Sequence, residues 1–157
     1  MRTLILGKER MERTLARLAC ELDEHNRGTG DLVLFGIVPQ GILVARALAR
    51  YISEIAGRKV DPIPLDLGET SREAVEVSGK QVVVVDDVLY TGRTAHRGVD
   101  AVCKMGEPAR VQLMVLIDRG HREMPLQPDY VGRRIQTKHR ERIQVDAGEG
   151  LSVYLEE

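Results

Sequence analysis

The stretch Val82-Val83-Val84-Val85-Asp86-Asp87-Val88-Leu89-Tyr90-Thr91-Gly92-Arg93-Thr94 carries the fold and the chemistry of this chain together. Four consecutive valines suit a strand buried on both faces, since β-branched side chains pack well on a pleated surface. The two acids that follow lie where such a strand leaves the sheet. Thr91 to Thr94 then forms a short polar turn, and the chain from Thr94 to Met105 is predicted to be helical. In open α/β sheets ligands bind in the crevice beyond the carboxyl ends of the strands, which is where Asp86 and Asp87 stand.

Working outward, Asp31 to Ile37 reads as a second buried strand, followed by the turn Pro39-Gln40-Gly41. The apolar positions Ile42, Ala45, Leu48, Ala49 and Ile52 then return at helical spacing. Leu15, Leu18, Ala19 and Leu22 place an earlier helix of about four turns, stopped at Asn26-Arg27-Gly28. Further strands are predicted at Val60 to Leu67, Gln81 to Val88 and Val111 to Ile117. Strands alternating with helices imply an α/β fold with a mostly parallel central sheet flanked by helices. Beyond them, Tyr130-Val131-Gly132, Ile143-Gln144-Val145 and Leu151 to Leu155 are short β segments without a helix between them. They predict edge strands and a small C-terminal β lobe. No linker, internal repeat or low-complexity stretch interrupts the chain, so residues 1–157 are expected to form a single domain.

Bulk properties narrow the function classes. Hydrophobic residues at 43% and charged residues at 30% fit a soluble globular chain, and a formal net charge of −1 gives no general attraction to nucleic acid or membrane. The start MRTLILGKER has too short an apolar run for a secretory signal, and no run is long enough to span a bilayer, so a cytoplasmic location is expected. Cys20 and Cys103 lack metal-ligand spacing and are assigned to packing.

Carboxylates accept hydrogen bonds from a diol and repel phosphate. The amino terminus of a helix, with unpaired amides and the positive end of its dipole, attracts phosphate. Asp86 and Asp87 followed by Tyr90, Thr91, Gly92, Arg93 and Thr94 therefore match a molecule with hydroxyls at one end and a phosphate at the other, which is the shape of ribose 5-phosphate. Either half alone is an ordinary strand end or helix cap; the order in which they follow carries the reading. Apolar residues ending in acids also occur in P-loop ATPases, but no GxxxxGK[ST] precedes them here.

Val82 to Thr94 resembles the phosphoribosyl diphosphate signature of the type I phosphoribosyltransferases. Together with Val115-Leu-Ile-Asp-Arg-Gly-His-Arg-Glu-Met-Pro125 and Pro128-Asp-Tyr-Val-Gly132, it is similar to the bifunctional pyrimidine-operon attenuators that also act as uracil phosphoribosyltransferases. The resemblance implies a pentosyltransferase that makes UMP from uracil and phosphoribosyl diphosphate, with a role in pyrimidine regulation. It implies that Asp86 and Asp87 are the catalytic pair on the ribose hydroxyls, with Tyr90 to Thr94 around the 5′-phosphate. Pro39, Gln40 and Gly41 would form the diphosphate loop, and Asp118, Arg119, Tyr130 and Val131 would line the base. It further implies magnesium (Mg2+), held through the diphosphate and not by the protein alone, and a homo-oligomer.

The chain departs from that pattern in three places. Pro39 and Gln40 stand where the attenuators carry Thr and Arg, and a neutral amide cannot offset diphosphate charge as a guanidinium does. Gly68 to Gly79 leaves room for only a short hairpin where the family has a long closing loop. The first helix keeps Arg17 but has Ala16 and Cys20 in place of a Thr and a His, so RNA is a weakly supported partner; the basic stretch from Arg133 to Arg142 reads first as a solvated face. Two functions follow: an enzyme of reduced rate, or a non-catalytic nucleotide sensor that keeps the ribose-phosphate site.

Overall fold

A computed structural model describes residues 1–28, 30–68 and 75–157. Its elements are β1 (Arg2–Leu6), α1 (Lys8–Asn26), β2 (Leu32–Ile37), α2 (Gly41–Ala56), β3 (Ile63–Leu65), β4 (Gln81–Leu89), α3 (Arg93–Cys103), β5 (Arg110–Asp118), β6 (Tyr130–Arg134), β7 (Arg142–Gly148) and β8 (Gly150–Glu156). Five strands form a sheet in the order β3-β2-β4-β5-β6, every neighbouring pair in it parallel. The other three make an antiparallel sheet ordered β1-β8-β7. An α/β sheet flanked by helices is thus present, and the small lobe at the carboxyl end includes a strand from the amino end.

The valines of β4 explain the layering. Val83 and Val85 point into a cluster with α1, α2 and the lobe residues Leu6, Val145 and Val153. Val82 and Val84 point the other way, into a cluster with Ala95, Ala101 and Val102 of α3. A strand covered on both faces must be apolar at every position, which is why the run is continuous.

Two expected elements changed. β3 is limited to Ile63–Leu65 instead of Val60 to Leu67, because Pro62 and Pro64 have no N–H to give a ladder; Pro64 is tolerated on the sheet's outer strand. The amide of Val60 instead donates to Ser53 Oγ at 2.9 Å. β1 had no counterpart in the sequence reading, and it pairs with β8 over Arg2 to Leu6. The short hairpin expected at Gly68 to Gly79 falls largely on residues outside those described.

Candidate active site

All five parallel strands end at one edge. Register sets Gly36 beside Val85, Leu89 beside Asp118, and Asp118 beside Arg134. The chain first builds outward from β2 to β3, then crosses to β4 on the other side of β2. The direction of growth therefore reverses between β2 and β4, and such a switch point leaves a crevice between diverging loops. Pro39-Gln40-Gly41 follows β2 on one side of it, and Asp86 to Thr94 lines the other.

Gly41 is what lets these two sides meet. A Cβ there would lie 2.5 Å from the Val85 carbonyl oxygen and 3.2 Å from Asp86 Oδ1, so any larger residue drives α2 away from β4. Gln40 caps α2, its carbonyl accepting from the amides of Leu43 and Val44 at 3.1 and 3.3 Å.

Asp86 is 8% exposed. Burial, and after it the adjacent Asp87 carboxylate, push its carboxyl up to about 8 from 3.8, while the Asp87 amide donating to Oδ1 at 2.9 Å works in the opposite direction. Asp87 is half-buried, and its Oδ1 accepts from the Val88 amide at 2.7 Å. Two adjacent carboxylates, one of them desolvated, are costly unless something with donors or positive charge joins them.

Beyond them the chain turns into α3. Gly92 caps this helix with φ 91°, a left-handed conformation that favours glycine. The amide of Arg93 donates to Thr91 Oγ1 at 3.3 Å, and the amide of His96 to the Gly92 carbonyl at 2.9 Å. The side chains of Arg93 and Thr94 are exposed. Arg93 reaches Glu123 at 3.1 Å.

Asp118 and Arg119 arrive at the same edge, each 7% exposed. Arg119 is held in place: its guanidinium stacks 4.0 Å from the centre of the Tyr90 ring, and its Nε and Nη2 donate to Thr137 Oγ1 and the Lys138 carbonyl at 2.9 and 3.1 Å. Asp118 Oδ1 accepts from the Gly120 amide at 3.1 Å, and Oδ2 accepts from Arg122 at 2.8 Å. A cavity of about 250 Å3 opens here, with Arg119, His121, Arg122 and Arg134 in its lining.

Tyr130 and Val131 are not brought to this edge, which corrects the expectation that they line the base. They sit level with Met114 and Val115, short of the strand ends. Tyr130 is 2% exposed within the α1 and α2 core, and its hydroxyl donates to Gln112 Oε1. The Val131 and Gly132 carbonyls accept from Arg17 at 3.2 and 2.6 Å, so the basic residue retained in the first helix clips α1 to β6. The rings at the strand ends are instead Tyr90, His121 and His139. His121 lies edge-on to Tyr90 with centres 5.4 Å apart and 4.1 Å from His139, which shares a 3.1 Å hydrogen bond with the Tyr90 hydroxyl. His121 and Arg122 lie in the stretch quoted for the resemblance but were given no role there, because which way its side chains turn depends on backbone geometry that spacing does not show.

A parallel sheet with this strand order, with adjacent acids at its switch point and a glycine turn opening a helix, is the arrangement of the phosphoribosyltransferase fold. Residues 3–147 match the phosphoribosyl transferase domain family, and the chain belongs to it. Among its relatives is the Bifunctional protein PyrR of Pelotomaculum thermopropionicum, 45% identical over an alignment of 157 positions that covers 90% of this chain and 86% of the relative. The protein of the same name from Bacillus cereus strain AH820 is 39% identical over an alignment of 165 positions, covering 94% of this chain and 92% of its own. Hypoxanthine-guanine phosphoribosyltransferase from Bacillus anthracis superposes with a TM-score of 0.73 at 21% identity, covering 85% of this chain and 81% of its own. Hypoxanthine phosphoribosyltransferase from Trypanosoma cruzi, solved with the product IMP, gives 0.74 at 19%, covering 84% and 75%. At these identities the two structures establish the fold.

Proposed function

We propose that this chain binds UMP and phosphoribosyl diphosphate and transfers the phosphoribosyl group to uracil, slowly, in a pyrimidine-linked regulatory role. The observation that carries the reading is the buried Asp86 beside Asp87, immediately ahead of the Gly92 turn. Ribose hydroxyls would donate to the two carboxylates, and the 5′-phosphate would take the amides at the start of α3. The similarity to proteins named Bifunctional protein PyrR supports uracil over other bases.

In the reaction uracil forms a C–N bond to the ribose C1 as the C–O bond to diphosphate breaks; uracil loses its N–H proton and the electron pair leaves with diphosphate. The ribose carbon becomes cation-like on the way, so the protein must hold the sugar in place and steady the leaving group. Among the described residues no cluster of three or more His, Cys, Asp and Glu forms a metal cage. Two carboxylates alone fit a magnesium ion that arrives on the diphosphate, where it would neutralise phosphate charge. Gln40, in place of a cation, leaves that charge less balanced and favours the second reading, a nucleotide sensor with little turnover.

Assaying UMP formation from uracil and phosphoribosyl diphosphate with saturating magnesium, with hypoxanthine and guanine as parallel acceptors, separates these readings. Slow uracil-selective turnover, with UMP bound more tightly than phosphoribosyl diphosphate, is expected. Binding of UMP without any detectable turnover leaves the sensor; purine-selective turnover overturns the uracil assignment.

A further inference from the structure

Three consecutive carbonyls, those of Leu89, Tyr90 and Thr91, all accept hydrogen bonds from one segment, residues 119–124. The Arg119 amide donates to Leu89 at 3.0 Å. Arg122 Nη1 donates to Tyr90 at 2.9 Å. The amides of Glu123 and Met124 donate to Thr91 at 2.8 and 3.0 Å. A trans peptide is planar, with its C=O and N–H on opposite sides. Pinning these carbonyls to one strap therefore turns the amides of Tyr90, Thr91 and Gly92 to the opposite side, where an anion would sit.

The pin of the strap is Arg122. Its guanidinium also donates to the Leu126 carbonyl at 3.2 Å and to Asp118 Oδ2 at 2.8 Å, and its stem lies against Gly92, where an added Cβ would be 3.2 Å from Cδ. The pair is largely shielded, with side chains 16% and 8% exposed. Asp118, whose other oxygen holds Gly120, has both oxygens occupied within the protein.

We infer that Asp118 and Arg122 are positioning residues for the phosphate turn, and that Asp118, although it stands at the base-side strand end, does not read the base. This rests on the ribose-phosphate reading of the site. Arg122 fixes the turn through the Tyr90 carbonyl, and Asp118 fixes Arg122.

Calorimetric titration of ribose 5-phosphate, which has no base, and of UMP separates the two roles for Asp118. It is run on the wild-type chain, Arg122→Gln, Arg122→Lys and Asp118→Asn, each at a temperature well below its own thermal midpoint. Arg122→Gln and Asp118→Asn should weaken both ligands by about tenfold, the scale of one lost charge-assisted hydrogen bond. The ratio of the two dissociation constants, which measures what the base adds, should stay near its wild-type value. Arg122→Lys keeps the charge but cannot bridge Asp118 and Tyr90 at once, and should fall in between; it also serves if the glutamine variant does not fold. If Asp118→Asn leaves ribose 5-phosphate affinity unchanged and lowers only the contribution of the base, the inference is overturned. Unchanged affinities in the Arg122 variants overturn it as well. A wild-type chain that binds neither ligand removes the ribose-phosphate reading and this inference together.

Discussion

Asp86 is costly to bury, and the cost has a pH signature. With its carboxyl at about 8 in the folded chain against 3.8 unpaired in water, the folded state keeps a proton that the unfolded state releases between those values. Stability should therefore fall as pH rises through that window and level off above it. Asp86→Asn removes the ionisable group and should flatten the profile, raising the urea midpoint at pH 8 while weakening UMP. A mutant profile that keeps the wild-type slope would place its origin elsewhere. Gln40 is the other residue with a sharp consequence. Gln40→Arg returns a cation to the diphosphate loop and should tighten phosphoribosyl diphosphate by about tenfold, equivalent to roughly 1.4 kcal/mol, with little change for UMP. Equal tightening of both ligands would show that the residue acts on the 5′-phosphate instead.

At the level of elements, β4 was legible because its two-sided burial demands an unbroken valine run, and its acids and turn follow without a gap. β1 was not, since Thr3-Leu4-Ile5-Leu6 is short and gains its ladder only from β8 at the far end of the chain, over Arg2 to Leu6. Tyr130 was misplaced for a related reason. The family resemblance put it beside the base, but only the register with Met114 shows that its ring lies in the core. The same logic yields a prediction for the lobe. Leu6 is 3% exposed and shares one apolar cluster with α1 and α2. Leu6→Ala should therefore destabilise the entire chain by about 2–5 kcal/mol. Circular dichroism and tyrosine fluorescence should lose their signals in one coincident urea transition; an early separate step for the lobe would mean that it folds on its own.

Across the whole molecule, a net charge of −1 gives no long-range pull toward RNA. The one recognition-type residue kept in α1, Arg17, is already bound to Glu21 and to the carbonyls of Val131 and Gly132. Specific binding to a pyrimidine-operon leader should be weak at physiological salt, as read by a filter assay; tight binding enhanced by UMP would show that the basic stretch from Arg133 to Arg142 has taken over. The fold brings the acids of β4 and the turn into α3 to one sheet edge, which is the place proposed for a ribose and its phosphate. The titration of UMP into the folded Asp86→Asn, Asp87→Asn double variant bears on this most directly. Affinity about tenfold or more below wild type is expected from the loss of charge-assisted bonds to the ribose diol; undiminished affinity would contradict a ribose site at these residues.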